Sequence, residues 1–323
     1  MQTTNYSPAA WKQHPLNPAV ANEEAAEWIF VVDTLNFSFW HDVPDDAEQQ
    51  FAVEYNGELH RGYWSLCACI NRALDDGIPM LDARFYATAS DDQLAHIFRS
   101  STKTPIPMFP ARCQVLREAG RVLVERFGGR FANLLAECGH SAVRLVKQVV
   151  HEFDSYKDAA EFVGFDDGVP FAFTARFYKR AQILAADIWA CFENRGIGRL
   201  DDIDALTMFA DYRVPQALVY LGALEYSDRL RQQLRARKHF ASGDRLEMEI
   251  RGCSITAVEH IIAAIRSLQQ ADASNSGSSD SDTGGSTQQI NAVLVDFYLW
   301  DFAQEFKSEL AHIDIHLTRS VFY

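Results

Sequence analysis

Thr207-Met208-Phe209-Ala210-Asp211-Tyr212-Arg213-Val214-Pro215-Gln216 places one acid between aromatic residues, beside an arginine, at a break between two helices. Leu206, Phe209 and Tyr212 carry a helical apolar spacing, and Pro215 removes the next amide donor while pushing Val214 toward an extended conformation. Asp211 therefore falls at a helix end and faces inward. A carboxylate is costly to bury unless a cation meets it, and two partners fit. One is the Arg213 side chain, in a purely structural ion pair. The other is a ligand whose positive charge appears only during reaction.

Working outward, Arg176 to Phe192 is an amphipathic helix containing Ile183, Leu184, Ile188 and Trp189. Gly196-Ile197-Gly198 punctuates it, and Asp201 or Asp202 is placed to cap a further helix. Helix, glycine turn and helix thus precede Asp211. Leu66, Cys67, Ile70 and Leu74 give one apolar face over 63–74, and helical spacing recurs over 91–99, 111–126, 130–137, 140–151, 216–224, 227–237, 244–270 and 288–311. Trp28 to Val32 and the tail Asp314 to Tyr323 read as extended. Phe51 to Tyr55 and Glu58 to Gly62 flank Asn56-Gly57, a strong hairpin signal. The expected fold is mainly α with a small β-hairpin, in a single domain over 1–323. Residues 272–286 are rich in Ser, Asp and Gly and hold nothing large to bury, so they read as a disordered low-complexity insertion.

With 323 residues, 48% of them apolar, the chain folds without staples. Its six cysteines form no C-x-x-C pair and mostly lie in apolar helical patterns, as reduced thiols of a cytoplasmic protein do. The first thirty residues lack a basic stretch followed by an apolar run, and no segment reaches membrane-spanning length. A net charge of −14 argues against tracking a nucleic-acid backbone. Walker, dinucleotide-binding, H-E-x-x-H and G-x-S-x-G motifs are absent. His312 and His316 stand four apart, but Ile313-Asp314-Ile315 between them reads as extended, and zinc sites show more ligands at tighter spacing. No metal and no cofactor is expected.

Six segments together resemble one family. They are Val32-Asp33-Thr34-Leu35-Asn36-Phe37-Ser38-Phe39-Trp40, Gly62-Tyr63-Trp64-Ser65-Leu66-Cys67, Phe177-Tyr178-Lys179-Arg180-Ala181-Gln182, Met208 to Gln216, Glu249-Ile250-Arg251-Gly252-Cys253, and Asp296-Phe297-Tyr298-Leu299-Trp300-Asp301. In this order they resemble the queuosine salvage proteins, the queuosine 5′-phosphate N-glycosylase family, over nearly the whole chain; 272–286 and residues near 164–175 look like additions. The resemblance implies hydrolysis of the N-glycosidic bond of queuosine 5′-phosphate, releasing queuine and ribose 5-phosphate so that the base returns to transfer RNA. Water is then the second substrate. It also implies a framework similar to helix-hairpin-helix DNA glycosylases, serving a free nucleotide, with no direct DNA or tRNA binding. Two other classes stand beside it: a non-catalytic queuine-binding carrier using the same pocket, and a DNA-base glycosylase, which would need a basic face.

Departure of the base makes the ribose oxocarbenium-like, so a fixed carboxylate near the anomeric carbon stabilises charge absent from the resting substrate. Asp211 is the catalytic candidate, as nucleophile, electrostatic stabiliser or water-activating base. Queuine lacks N7, so the leaving base must be stabilised elsewhere on its ring. Asp296, Trp300 and Asp301 suit its guanine-like edge and its cationic secondary amine, with exposed helix acids as the plain alternative. Phe209, Phe37 and Trp40 would sandwich the base, or are simply core. Asp33 and Asn36 would hold the pocket wall or a ribose hydroxyl, and His14 would reach the site from the N-terminal segment. Lys179 and Arg180, with Arg213 as the alternative, are the phosphate candidates. Lys179 or Arg180 capping a helix or pairing with Asp187 is the structural alternative.

Overall fold

The computed structural model describes residues 7–42, 50–275 and 290–323, and among these the chain forms helices and two two-stranded sheets. The chain divides into two compact units. An amino-terminal unit comprises Pro8–Ala160, Thr174–Ile203 and Thr318–Tyr323; a carboxy-terminal unit holds Glu161–Phe173 and Asp204–Leu317. No helix among the described residues is long and apolar enough to cross a membrane.

The amino-terminal unit contains α1 (Pro8–Trp11), α2 (Glu23–Thr34), the hairpin β1 (Ala52–Tyr55) and β2 (Glu58–Arg61), and α3 (Tyr63–Asp75). Next come α4 (Ala83–Tyr86), α5 (Asp91–Ile97), α6 (Phe109–Arg126), α7 (Phe131–Glu137), α8 (Ala142–Glu152) and, later in the chain, α9 (Lys179–Cys191). The hairpin forms as its turn dictates: Asn56 and Gly57 both take positive φ, and Tyr55 pairs with Glu58.

Helix α2 is the hub, packing on α3, α6, α7 and α9. The sequence suggested an extended Trp28–Val32, but this run lies in the middle of that helix. Every residue from Ala25 to Thr34 is buried, so no amphipathic stripe marks it, and Ile29-Phe30-Val31-Val32 looks like a buried strand. The deciding signal is the cap: Asn22 accepts from the Ala25 amide at 2.9 Å, ahead of Glu23 and Glu24.

A second hairpin, β3 (Ala159–Asp166) and β4 (Val169–Arg176), turns at Asp167-Gly168 and had no counterpart among the sequence expectations. Val163 and Phe165, and then Val169, Phe171 and Phe173, recur at every second residue around Asp167-Gly168, a hairpin signal that those expectations omit, and all five side chains are exposed. Gly164 lies against the Phe171 ring, where a Cβ would collide.

The carboxy-terminal unit contains α10 (Val214–Tyr220), α11 (Asp228–Arg235), α12 (Arg245–Asn275) and α13 (Ala292–Glu305), with α10, α12 and α13 in mutual contact. Helix α12 takes in the first residues of the 272–286 segment; the rest of that segment lies outside the described residues. The helix expected between Asp201 or Asp202 and Tyr212 is reduced to a 3-10 turn, Ile203–Ala205, followed by irregular chain to Asp211. Asp202 caps α8 instead, accepting from the Ser141 hydroxyl at 2.6 Å and the Ala142 amide at 2.5 Å. Leu206, Met208, Phe209 and Ala210 are all buried, which is not a one-faced pattern.

A buried carboxylate joins the helices around α2. Glu27 accepts from the Phe131 and Ala132 amides at 2.9 and 3.0 Å, capping α7. Burial raises its pKa although both amides oppose the shift. Glu27→Gln turns an amide NH2 toward one of these donors and is expected to cost about 1–3 kcal/mol in urea unfolding. An unchanged midpoint would mean that the carboxylate does not hold the start of α7.

Candidate active site

Asp211 lies at the start of a helix rather than at the end of one. Its Oδ1 accepts from the Arg213 amide at 2.7 Å and the Val214 amide at 2.9 Å, satisfying donors at the N-terminus of α10, where Pro215 follows without a donor of its own. Arg213 therefore meets Asp211 through its backbone. Its guanidinium turns instead to Gln216 Oε1 at 3.1 Å and to the Tyr212 ring. Among the described residues no hydrogen bond or ion pair engages Asp211 Oδ2. The residue is only 6% exposed, so this is an inward carboxylate fixed at one oxygen and matched by no cationic side chain.

The irregular chain before it is held from α13. Asp296 Oδ2 accepts from the Phe209 amide at 2.8 Å, and the Phe209 ring meets Phe297 edge-on at 6.1 Å. Asp296 and Trp300 stand four residues apart on α13; Asp296 is buried, Trp300 half-buried and Asp301 exposed. Partial burial, with Glu305 adding to it, raises the Asp301 carboxyl to about 6. Gln216 ties α10 to the chain after α13, donating to Leu310 O at 3.0 Å and Ile313 O at 2.6 Å.

In the amino-terminal unit the remaining candidates gather around the C-terminal end of α2. Asp33 is fully buried; Asn36 Nδ2 donates to its Oδ1 at 3.3 Å, and Oδ2 has no hydrogen-bond partner. Burial pushes the Asp33 carboxyl up to about 7, against the pull of Asn36, Lys179 and Arg180. Tyr63 and Cys67, one turn apart on α3, face this region: burial raises both far above their ordinary range, and the charges of Asp187 and Asp33 add to the shift. The Phe37 ring sits between the guanidiniums of Arg112 (4.4 Å) and Arg180 (5.1 Å). Trp40 stacks under Arg319 at 3.4 Å and donates Nε1–H to Thr318 O at 3.2 Å. His14 stacks on Trp64 with 3.3 Å between ring centres, and burial, aided by His60, lowers its pKa to about 4.

Of the three phosphate candidates, Arg180 is already committed. Its terminal nitrogens donate to the carbonyls of Asp33, Thr34 and Ser155, and its guanidinium lies over Tyr156. Lys179 is buried at the N-terminus of α9, where its amide donates to Asp158 Oδ2 at 3.1 Å, and its charge faces Asp33. Arg213 is half-buried. His312 is exposed, whereas His316 is buried with its pKa driven down to about 3. Among the described residues no three His, Cys, Asp or Glu side chains group as metal ligands.

Several participants carried no role in the sequence reading. Arg112, Tyr63 and Trp64 join the surroundings of Asp33, Phe37 and His14, and Arg251 joins those of Asp211. Tyr63, Trp64 and Arg251 stand in segments that carry the family resemblance but had no role assigned there; an aromatic pair opening a helix, and a cation inside an apolar helix pattern that asks for a buried partner, are the signals that point to them.

The sequence matches the family described as queuosine salvage protein over residues 16–323. It is 45% identical over 314 residues to the queuosine 5′-phosphate N-glycosylase/hydrolase of Mus musculus, an alignment covering 97% of this chain and 86% of the relative. The protein of the same name from Nematostella vectensis is 42% identical, covering 100% of this chain and 89% of the relative. That of Sphaerobacter thermophilus is 36% identical, covering 98% and 87%. With the match running over residues 16–323, the chain belongs to the queuosine salvage protein family.

Proposed function

We propose that this chain hydrolyses the N-glycosidic bond of queuosine 5′-phosphate in the cytoplasm, releasing queuine and ribose 5-phosphate. The name borne by its relatives supports the substrate. The observation that carries the chemistry is the buried Asp211, with Oδ1 on two amides and, among the described residues, no hydrogen bond or ion pair at Oδ2. A structural ion pair would have placed the Arg213 guanidinium there.

Such a carboxylate is poised for a positive sugar. In the ground state the substrate offers C1′ no charge; as the C–N bond breaks, oxocarbenium character appears opposite Oδ2, and the attraction grows only then. Holding Oδ1 on two amides means that little reorganisation accompanies that growth. Trp300 and Asp301, with Asp296, are proposed for the base: an indole wall, carboxylate acceptors for the guanine-like edge, and an anion for the secondary amine. Phe209, Phe37 and Trp40 remain proposed as aromatic walls, His14 and Asn36 as flanking contacts, and Asp33 as the acceptor of a sugar or side-chain hydroxyl at Oδ2. Lys179 and Arg180, with Arg213 as the alternative, remain the proposed phosphate cations, and Arg180 already donates to three carbonyls. The net charge of −14 supports a free nucleotide rather than DNA or tRNA.

Asp211→Asn preserves the capping acceptor and removes the charge. It is expected to leave the melting temperature nearly unchanged and queuine affinity intact, while kcat falls roughly a hundredfold or more. Released base and ribose 5-phosphate are measured by chromatography. If the wild-type protein binds the nucleotide but never yields ribose 5-phosphate, the chain is a carrier; cleavage of duplex DNA would make it a DNA glycosylase.

Asp301 gives a pH signature. With its carboxyl near 6, it is ionised at neutral pH and loses its charge below that value, so KM for the amine-bearing nucleotide should rise as pH falls through about 6. Asp301→Asn should raise KM at neutral pH and flatten this acid limb. A limb that persists in the variant would assign it to another group.

Asp33 gives the opposite kind of signature, in stability. Its folded pKa of about 7 lies above the unfolded value, so the native state retains this proton and the destabilisation from Asp33 grows as pH rises between the two. Asp33→Asn should therefore gain stability over the parent at pH 8 relative to pH 5, read by urea unfolding at both. Parallel pH profiles would show that Asp33 is ionised throughout.

A further inference from the structure

We infer that Arg251 and Glu247, a buried ion pair on α12, form the device that positions Asp211, fixing the peptide that enters it. The inference rests on the catalytic reading of Asp211. Glu247 and Arg251 stand four apart and are 1% and 2% exposed. Arg251 donates to Glu247 Oε1 at 3.0 Å, and Glu247 Oε2 accepts from the Gly243 amide at 3.1 Å. Arg251 Nε then donates to Ala210 O at 2.9 Å.

That carbonyl shares its peptide plane with the Asp211 amide, so holding it fixes the plane from which the Asp211 Cα departs. Two peptides earlier, Asp296 holds the Phe209 amide; beyond Asp211, the amides of Arg213 and Val214 hold its own Oδ1. Met208 to Asp211 lies in neither helix nor strand, so no ladder fixes this stretch, and charged side chains do so from α12 and α13. A buried ion pair is a poor source of stability, because an apolar pair of similar volume commonly does as well or better. Its selective value is geometric. Glu247 neutralises the guanidinium, so Arg251 supplies Asp211 with orientation rather than a counter-charge, and it is a positioning residue, not a catalytic one.

The test replaces the pair together, Glu247→Leu with Arg251→Met, so that no charge is left buried alone; Arg251→Lys, which keeps an ammonium beside Glu247 but loses the fork that reaches both acceptors, is the second variant. Each is made in the wild-type and Asp211→Asn backgrounds, checked for a cooperative melt, and assayed for release of queuine from queuosine 5′-phosphate. In the wild-type background kcat should fall at least tenfold with KM within threefold. In the Asp211→Asn background the residual rate should change less than twofold, because the group being positioned is already disabled. Equal losses in both backgrounds, or a wild-type kcat within twofold in a folded variant, would overturn the positioning role. Full activity of Asp211→Asn alone would instead overturn the catalytic reading, and the two failures are thereby distinguished.

Discussion

Buried charge in this chain is cancelled chiefly by the backbone. Glu27 caps α7, Asp158 the start of α9 and Asp211 α10, while Asp296 takes the amide of Phe209; the half-buried Asp202 does the same for α8. The buried arginines are the mirror image. Arg112 donates to the carbonyls of Pro107, Leu35 and Phe37, and Arg180 to those of Asp33, Thr34 and Ser155. Hydrogen bonds to charged groups contribute about 1.5–3 kcal/mol each, and helix termini supply matching partial charges. These contacts tie irregular segments to helices, so the chain following α2 and the chain preceding α10 are rigid without belonging to any regular element.

That rule gives meaning to the two carboxylates that follow it only halfway. Asp211 uses one oxygen on amides and leaves the other unengaged; Asp33 has one oxygen on Asn36 and the other without a partner in a fully buried position. The buried acceptor left unmet is Asp33 Oδ2, and this costs about 1–3 kcal/mol, a cost that packing alone does not explain. Their chemistry differs as well. The Asp33 carboxyl is pushed up to about 7 by burial, which suits a group exchanging hydrogen bonds with hydroxyls. Asp211 instead holds the two amides that open α10 with one oxygen and leaves the other unengaged.

The sequence announced those elements whose burial is one-sided. The helices α3, α6 and α8 and the Asn56-Gly57 hairpin lie close to where periodicity and turn chemistry placed them, and so does α9, although it is buried almost throughout. It misled at α2, whose fully buried Ile29-Phe30-Val31-Val32 mimicked a strand, and the β3–β4 hairpin is missing from the sequence reading although Val169, Phe171 and Phe173 alternate beside Asp167-Gly168. Asp211 stood out through its neighbours, but the side it caps was reversed: Pro215 reads as a helix stop, yet it is equally at home in a first turn, where its missing donor costs nothing. Arg251 was legible as an apolar helix's cation, but its partner Ala210 is forty-one residues away and is a carbonyl, which no side-chain pattern encodes.

Charge also bears on which ligand an acidic protein tolerates. Thirty Lys and Arg oppose forty-four Asp and Glu, and the buried Arg112 and Arg180 are consumed by carbonyls, so a polyanion would meet repulsion at each successive phosphate. A nucleotide bearing one phosphate and a cationic amine presents a different balance. On the proposed function its amine would be drawn to carboxylates such as Asp301 and a single local cation would suffice at the other end, so neither end of the ligand would require a basic surface. Discrimination against nucleic acid would then be electrostatic at long range and would weaken with added salt, as screening shortens the reach of the acidic field.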